Sequence, residues 1–138
     1  MIATINMRTL STIPLRGNKH CRRMDAPSFL SHKPITGGFE YQKGDQQQWH
    51  TNWNAPGARC YLAWSEDGNS GMRFIINGEV WTSQDLPGWQ YRIFNVPQPH
   101  CVFANCHRLS YGWSLPHADN QIILPIGLTN AEDVLQFA

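Results

Sequence analysis

The densest run of groups able to recognise a small molecule lies at positions 46–54, where three glutamines lead into Trp49, His50, Thr51, Asn52, Trp53 and Asn54. Two indoles offer flat faces for stacking, and the amides of Gln48, Asn52 and Asn54 can both donate to and accept from hydroxyls or base edges. Trp81 and Trp89, on either side of the turn-forming Asp85, Leu86, Pro87 and Gly88, would widen the same platform. A site so rich in amides and aromatics and so poor in charge suits a neutral small ligand. The competing reading makes these tryptophans a packed cap over one end of the fold, since burial is the commoner fate of an indole.

A second cluster holds His100, Cys101, Asn105, Cys106 and His107. Zinc takes four nitrogen or sulfur ligands in a tetrahedron, and this cysteine spacing falls within that of a zinc half-site, with Cys60, His50 or His117 left to complete it. The separation of the two cysteines is odd, however, so on one straight strand their thiols face opposite ways. Cysteine also packs well as a small hydrophobe. The same residues could form a nucleophilic pair, Asp119 or Asn105 orienting the imidazole, but no glycine-rich oxyanion loop or helix start follows either thiol. Glu40, Asp45, Glu66 and Asp119 show no spacing that pairs two carboxylates for hydrolysis. The glycines at 37–38 and 68–71 lack the Lys-Ser/Thr ending of a phosphate loop. No catalytic residue, metal ligand or cofactor is assigned on these grounds.

These groups must be positioned by a single core. The chain has 138 residues, 41% hydrophobic and only 15% charged, which fits one domain able to fold without metal or disulfide. No apolar run approaches the roughly 20 residues a membrane helix needs. The net charge of +1 conceals an asymmetry: residues 1–24 hold Arg8, Arg16, Lys19, Arg22 and Arg23 and no acid, leaving an acidic excess in 25–138. That division marks a basic N-terminal arm, read as a strand or extension docked on the β-rich remainder. Five charges spread so thinly disfavour nucleic acid as a partner. Four cysteines without a secretory leader are expected to be reduced thiols in a cytoplasmic protein.

Alternation by two dominates the chain and predicts strands. Leu109, Tyr111, Trp113 and Leu115 share one face of the clearest one, expected to be central. Asn77-Gly78 supplies the positive backbone angles of a type I′ turn, predicting a hairpin with Phe74 opposite Trp81 and Ile75 opposite Val80. Further strands are predicted over 39–42, 59–64, 91–96, 101–105 and 121–126. The last should be an edge strand because Pro125 lacks a ladder donor. Ala3, Ile5 and Met7 give a weaker alternation in the arm. Helix is scarce: a turn or two over 25–31, and a short C-terminal helix opened by a capping box from Thr129 to Glu132. The expected fold is mainly β, a single-domain antiparallel β-sandwich or barrel.

The expected function is therefore non-enzymatic binding of a neutral small ligand by Trp49, Trp53, Trp81, Trp89, Gln48, Asn52 and Asn54. The alternatives are a protein-interaction factor, such as an inhibitor, immunity protein or homodimer presenting an aromatic face, and a zinc or thiol protein using Cys101, Cys106 and His107.

Overall fold

A computed structural model of the chain describes residues 2–4, 21–52, 56–115 and 123–137. Its strands are β1 (Ile2–Thr4), β2 (Arg22–Arg23), β3 (Ile35–Tyr41), β4 (Gln46–His50), β5 (Gly57–Ser65), β6 (Ser70–Ile76), β7 (Glu79–Gln84), β8 (Gly88–Val96), β9 (His100–Ala104), β10 (Arg108–Leu115) and β11 (Ile123–Leu128). A 3-10 turn at Ser28–Leu30 and helix α1 (Ala131–Phe137) complete the elements. The smaller sheet runs β1-β7-β6-β9-β4 and the larger β11-β8-β5-β10-β3-β2, all pairs antiparallel. The fold is thus a β-sandwich with a short C-terminal helix. The barrel alternative falls away because the sheets remain separate, each with its own edges.

The larger sheet is buried on both faces, and this arrangement governs everything that follows. On β10, Leu109, Tyr111 and Trp113 join Cys60, Leu62 and Leu30 in an outer core closed by Val134 of α1. The intervening Arg108, Ser110 and Gly112 turn toward the smaller sheet. Between the sheets a second core gathers Tyr41, Met72, Phe74, Phe94, Val96 and Val102. A fully buried leucine or phenylalanine contributes roughly 1.5–3 kcal/mol relative to exposure, so the two cores share the stabilisation of one sheet between its faces.

Local chemistry sets the connections. Asn77 and Gly78 take φ of 52° and 78°, and the hairpin register pairs Phe74 with Trp81 and Ile75 with Val80 as the type I′ turn demands. β11 is the edge strand that Pro125 requires, and its register shifts between Ile123 and Ile126. Helix α1 is capped one residue later than the Thr129 to Glu132 box would set it. Asn130 Oδ1 accepts the backbone N–H of Asp133 at 2.9 Å, and Asp133 Oδ2 accepts from the Thr129 hydroxyl at 2.7 Å. Of the basic arm, Ile2–Thr4 pairs with β7 and Arg22–Arg23 with β3. The alternation at Ile5 and Met7 and the charges of Arg8, Arg16 and Lys19 lie outside the described residues.

One strand was not anticipated. Gln46–His50 is the edge strand of the smaller sheet, pairing with β9 so that His50 lies opposite His100, with a register shift after Gln47. Its polar sequence reads as a loop because an edge strand over a polar interior shows no hydrophobic alternation.

Candidate functional site

Two glycines open a space between the sheets. Gly37 of β3 and Gly112 of β10 are register partners on the inner face, so neither contributes a side chain where the sheets would otherwise meet. A Cβ at Gly112 would stand 2.9 Å from the Tyr61 ring, so only glycine admits that ring across the strand. The result is a cavity of about 200 Å³ between β3, β4, β5, β9 and β10. At about 30 Å³ per water this is room for six or seven waters, below the roughly 300 Å³ where drug-sized sites begin.

The lining is polar and basic. β5 alternates Cys60 and Leu62 into the outer core with Arg59 and Tyr61 into the cavity, facing His50 and Gln47 from β4 and His100 from β9. The titratable groups around it are Arg23, Tyr41, His50, Arg59, Tyr61 and His100. No carboxylate stands among them in the described residues. Two buried polar atoms at its walls, Arg59 Nε and Asn52 Oδ1, have no hydrogen-bond partner among the described residues. Such groups cost roughly 1–3 kcal/mol each when left unpaired. Asp85 Oδ1, though ion-paired with Arg92, and Arg108 Nη1 and Nη2 lack a hydrogen-bond partner too, but among the described residues it is Arg59 and Asn52 that border the cavity, where a guest could reach them. Asn52 itself adopts the left-handed region at φ 57°, a conformation that asparagine tolerates better than most residues.

The two imidazoles are held alike. His50 Nδ1 lies 2.6 Å from the Gln48 carbonyl and His100 Nδ1 lies 2.5 Å from that of Gln98, two residues upstream in each case. A carbonyl can only accept, so each Nδ1 carries the proton and each neutral ring presents Nε2 as an acceptor. Burial lowers the His100 pKa to about 4, with the neighbouring His50 adding to the effect. His50 is lowered by burial too, and Arg59 disfavours protonation of both. Their centroids stand 4.1 Å apart. A zinc ion shared tetrahedrally by both Nε2 atoms at about 2.0 Å would set them about 5 Å apart, so the rings as placed are not a zinc pair.

Of the residues singled out from sequence, Asn52 lines this cavity, while Gln48 and Trp49 line a shallow groove that adjoins it through Phe39, Gln47 and His50. Trp53 and Asn54 lie outside the described residues. The structure does not bring Trp81 and Trp89 to the cavity. Trp81 is on β7 of the smaller sheet and 41% exposed, whereas Trp89 packs edge-on against Phe29 at the outer core of the larger sheet. His100 is placed by sequence in the cysteine cluster rather than here, and Arg59 and Tyr61 give no site signal because each interrupts a strand defined by its apolar face. The available signal was their parity: Arg59 and Tyr61 share one face of β5, opposite Cys60 and Leu62.

The cysteines are dispersed. Cys101 lies opposite Arg73 on β9, its thiol pushed by burial up to about 11, and Cys60 sits in the outer core at about 12 for the same reason. Cys106 contacts the Ser65 hydroxyl at 3.4 Å, while His107 Nε2 meets Glu40 Oε2 at 2.9 Å. Cys101, Cys106 and His107 therefore form no common ligand set. Among the described residues the one group of three with converging ligand atoms is Glu66, Asp67 and Cys106, two of them exposed acids. Asp119 and His117 lie outside the described residues. No helix of the described chain is long and apolar enough to cross a membrane. No known family, curated protein or solved structure matches this chain.

Proposed function

We propose that the protein is a non-enzymatic binding protein that takes a small polar molecule into the cavity between its sheets. The observation that carries this reading is the pair of unpartnered buried atoms, Arg59 Nε and Asn52 Oδ1, at the walls of a space made by facing glycines. A fold selected only for stability would pack that space closed. The solvent-facing groove under Gln48 and Trp49 shares Phe39, Gln47 and His50 with the cavity. Among the described tryptophans of the platform expected from sequence, Trp49 alone lies at this groove. A protein-interaction role through an exposed aromatic face has less support, since Trp81 alone among the described tryptophans is well exposed.

The test is amide NMR of the full chain against a panel of small polar molecules, with native mass spectrometry of gently purified protein for a retained guest. The expected result is shifts confined to His50, Asn52, Arg59, Tyr61 and His100. A panel that leaves these signals unmoved, with a bare mass, would contradict the reading.

A further inference from the structure

The charge of the guest can be read from what the cavity lacks. Arg59 brings a cation, with Arg23 at the rim, into a chamber whose other titratable groups are two neutral imidazoles and two tyrosines. Elsewhere between the same sheets, the guanidinium groups of Arg92 and Arg108 converge on Asp85, at 2.7 Å each. This fold therefore supplies a carboxylate where its own arginines are to be neutralised. At Arg59 it supplies none among the described residues, and leaves Nε without an acceptor.

The remaining polar atoms ask for the opposite complement. Asn52 Oδ1 is an acceptor with nothing to accept, and imidazoles that give Nδ1–H to the backbone offer only acceptors at Nε2. A simple anion would satisfy the arginine and leave Asn52 Oδ1 and the two imidazole Nε2 atoms without a donor. A neutral polyol would satisfy the acceptors and leave the cation bare. Resting on the binding role argued above, we propose that the guest is a small hydroxy acid, its anionic group on Arg59 and its hydroxyls on Asn52 and the His50–His100 pair. The volume of about 200 Å³ fits a molecule of this kind with only a few carbons.

Three probes of nearly equal size separate the two requirements: glycerate carries both charge and hydroxyls, propionate the charge alone, and glycerol the hydroxyls alone. Dissociation constants come from amide NMR titration of the full chain at constant ionic strength. Glycerate is expected to bind at least about tenfold more tightly than either of the others, since a charged hydrogen bond is the stronger kind and tenfold is a modest share of it. Arg59→Met should erase the advantage of glycerate over glycerol, and Arg59→Lys should restore part of it. Gln47→Glu, nearly isosteric and still able to accept from the Tyr41 hydroxyl at 3.1 Å, places a carboxylate in the cavity and should reject glycerate while sparing glycerol. Should Arg59→Met not fold, Gln47→Glu still decides. Glycerol binding as tightly as glycerate at these residues would overturn the hydroxy-acid assignment and leave the binding role standing. Propionate equalling glycerate would overturn the hydroxyl half. No response at the cavity to any of the three would overturn the assignment, and the wider panel above then decides the binding role separately.

Discussion

The space between the sheets has two polar regions, and they are finished differently. At one, Asp85 accepts from Arg92 and Arg108 at 2.7 Å each and from the Ser70 hydroxyl at 2.6 Å, while Arg92 also donates to the Ser83 hydroxyl and carbonyl at 3.0 and 2.8 Å. Burial alone would raise the Asp85 pKa, yet Arg108 and Arg92 outweigh it and hold the carboxyl at about 2. The other region has the same ingredients, an arginine and hydrogen-bonding side chains inside a sandwich, but no carboxylate among the described residues and a void in place of packing. Buried charge is retained cheaply only when it is paired and hydrogen-bonded. One region therefore reads as structure and the other as a receptor awaiting its counter-charge.

The largest effect should come from breaking the finished region. Asp85→Ala strands two arginines that are 0–1% exposed, and chemical denaturation should register a loss of about 3–5 kcal/mol or a failure to fold. A loss under 1 kcal/mol would mean that the two regions do not differ in the way described.

Acid should then undo the regions in separate windows. His100 is held near 4 in the folded chain against about 6.5 when unfolded, so the unfolded chain binds the extra proton and stability falls as pH drops from about 6.5 to about 4. The expected loss is about 3 kcal/mol, with His50 adding in the same direction. Asp85 has the opposite chemistry: its contribution is intact above about 3.8 and lost as pH falls through about 2. Denaturation at a series of pH values should show two steps. A His100→Phe chain, placing a ring among Tyr61, Phe74 and Phe94, should lose most of the upper one.

A smaller effect sharpens the comparison from the side of the void. Gly112→Ala puts a methyl group against the Tyr61 ring and should cost about 1–3 kcal/mol through overpacking, with binding at the cavity weakened alongside. Trp81→Ala, at an exposed position on β7, should change stability by under about 1 kcal/mol and binding not at all. Thermal melts and the NMR titration check both.

The two regions also differ in how far the sequence discloses them. The hairpin was legible to its register because Asn-Gly admits few turn types, and the outer face of β10 because Leu109, Tyr111 and Trp113 alternate with small polar residues. Illegible was the second buried face. Gln90, Arg92 and Arg108 are among the most buried residues, yet by alternation each would be assigned to solvent. A sheet covered on both sides hides its polar interior in this way, and Arg59 and Tyr61 were missed for that reason. His100 was noticed for its neighbour Cys101, with which it shares no face, rather than for His50 across the ladder. Gly37 reads as a turn residue and Gly112 as a small residue on the other face of β10, because pairing across strands is a matter of topology and leaves no trace in local spacing.

The central claim is that one arginine region holds its counter-charge within the chain and the other, among the described residues, does not, and equilibrium denaturation of Arg92→Met beside Arg59→Met at neutral pH measures it most directly. Arg92→Met removes one of the two cations around Asp85 and leaves Ser83 unpaired, with an expected loss of about 3–5 kcal/mol. Arg59→Met removes a charge with no counter-ion among the described residues and an Nε unpaired among them, so stability should stay within about 1 kcal/mol of the parent or rise. Equal losses of several kcal/mol from both substitutions would contradict the account, because Arg59 would then be satisfied from within the chain.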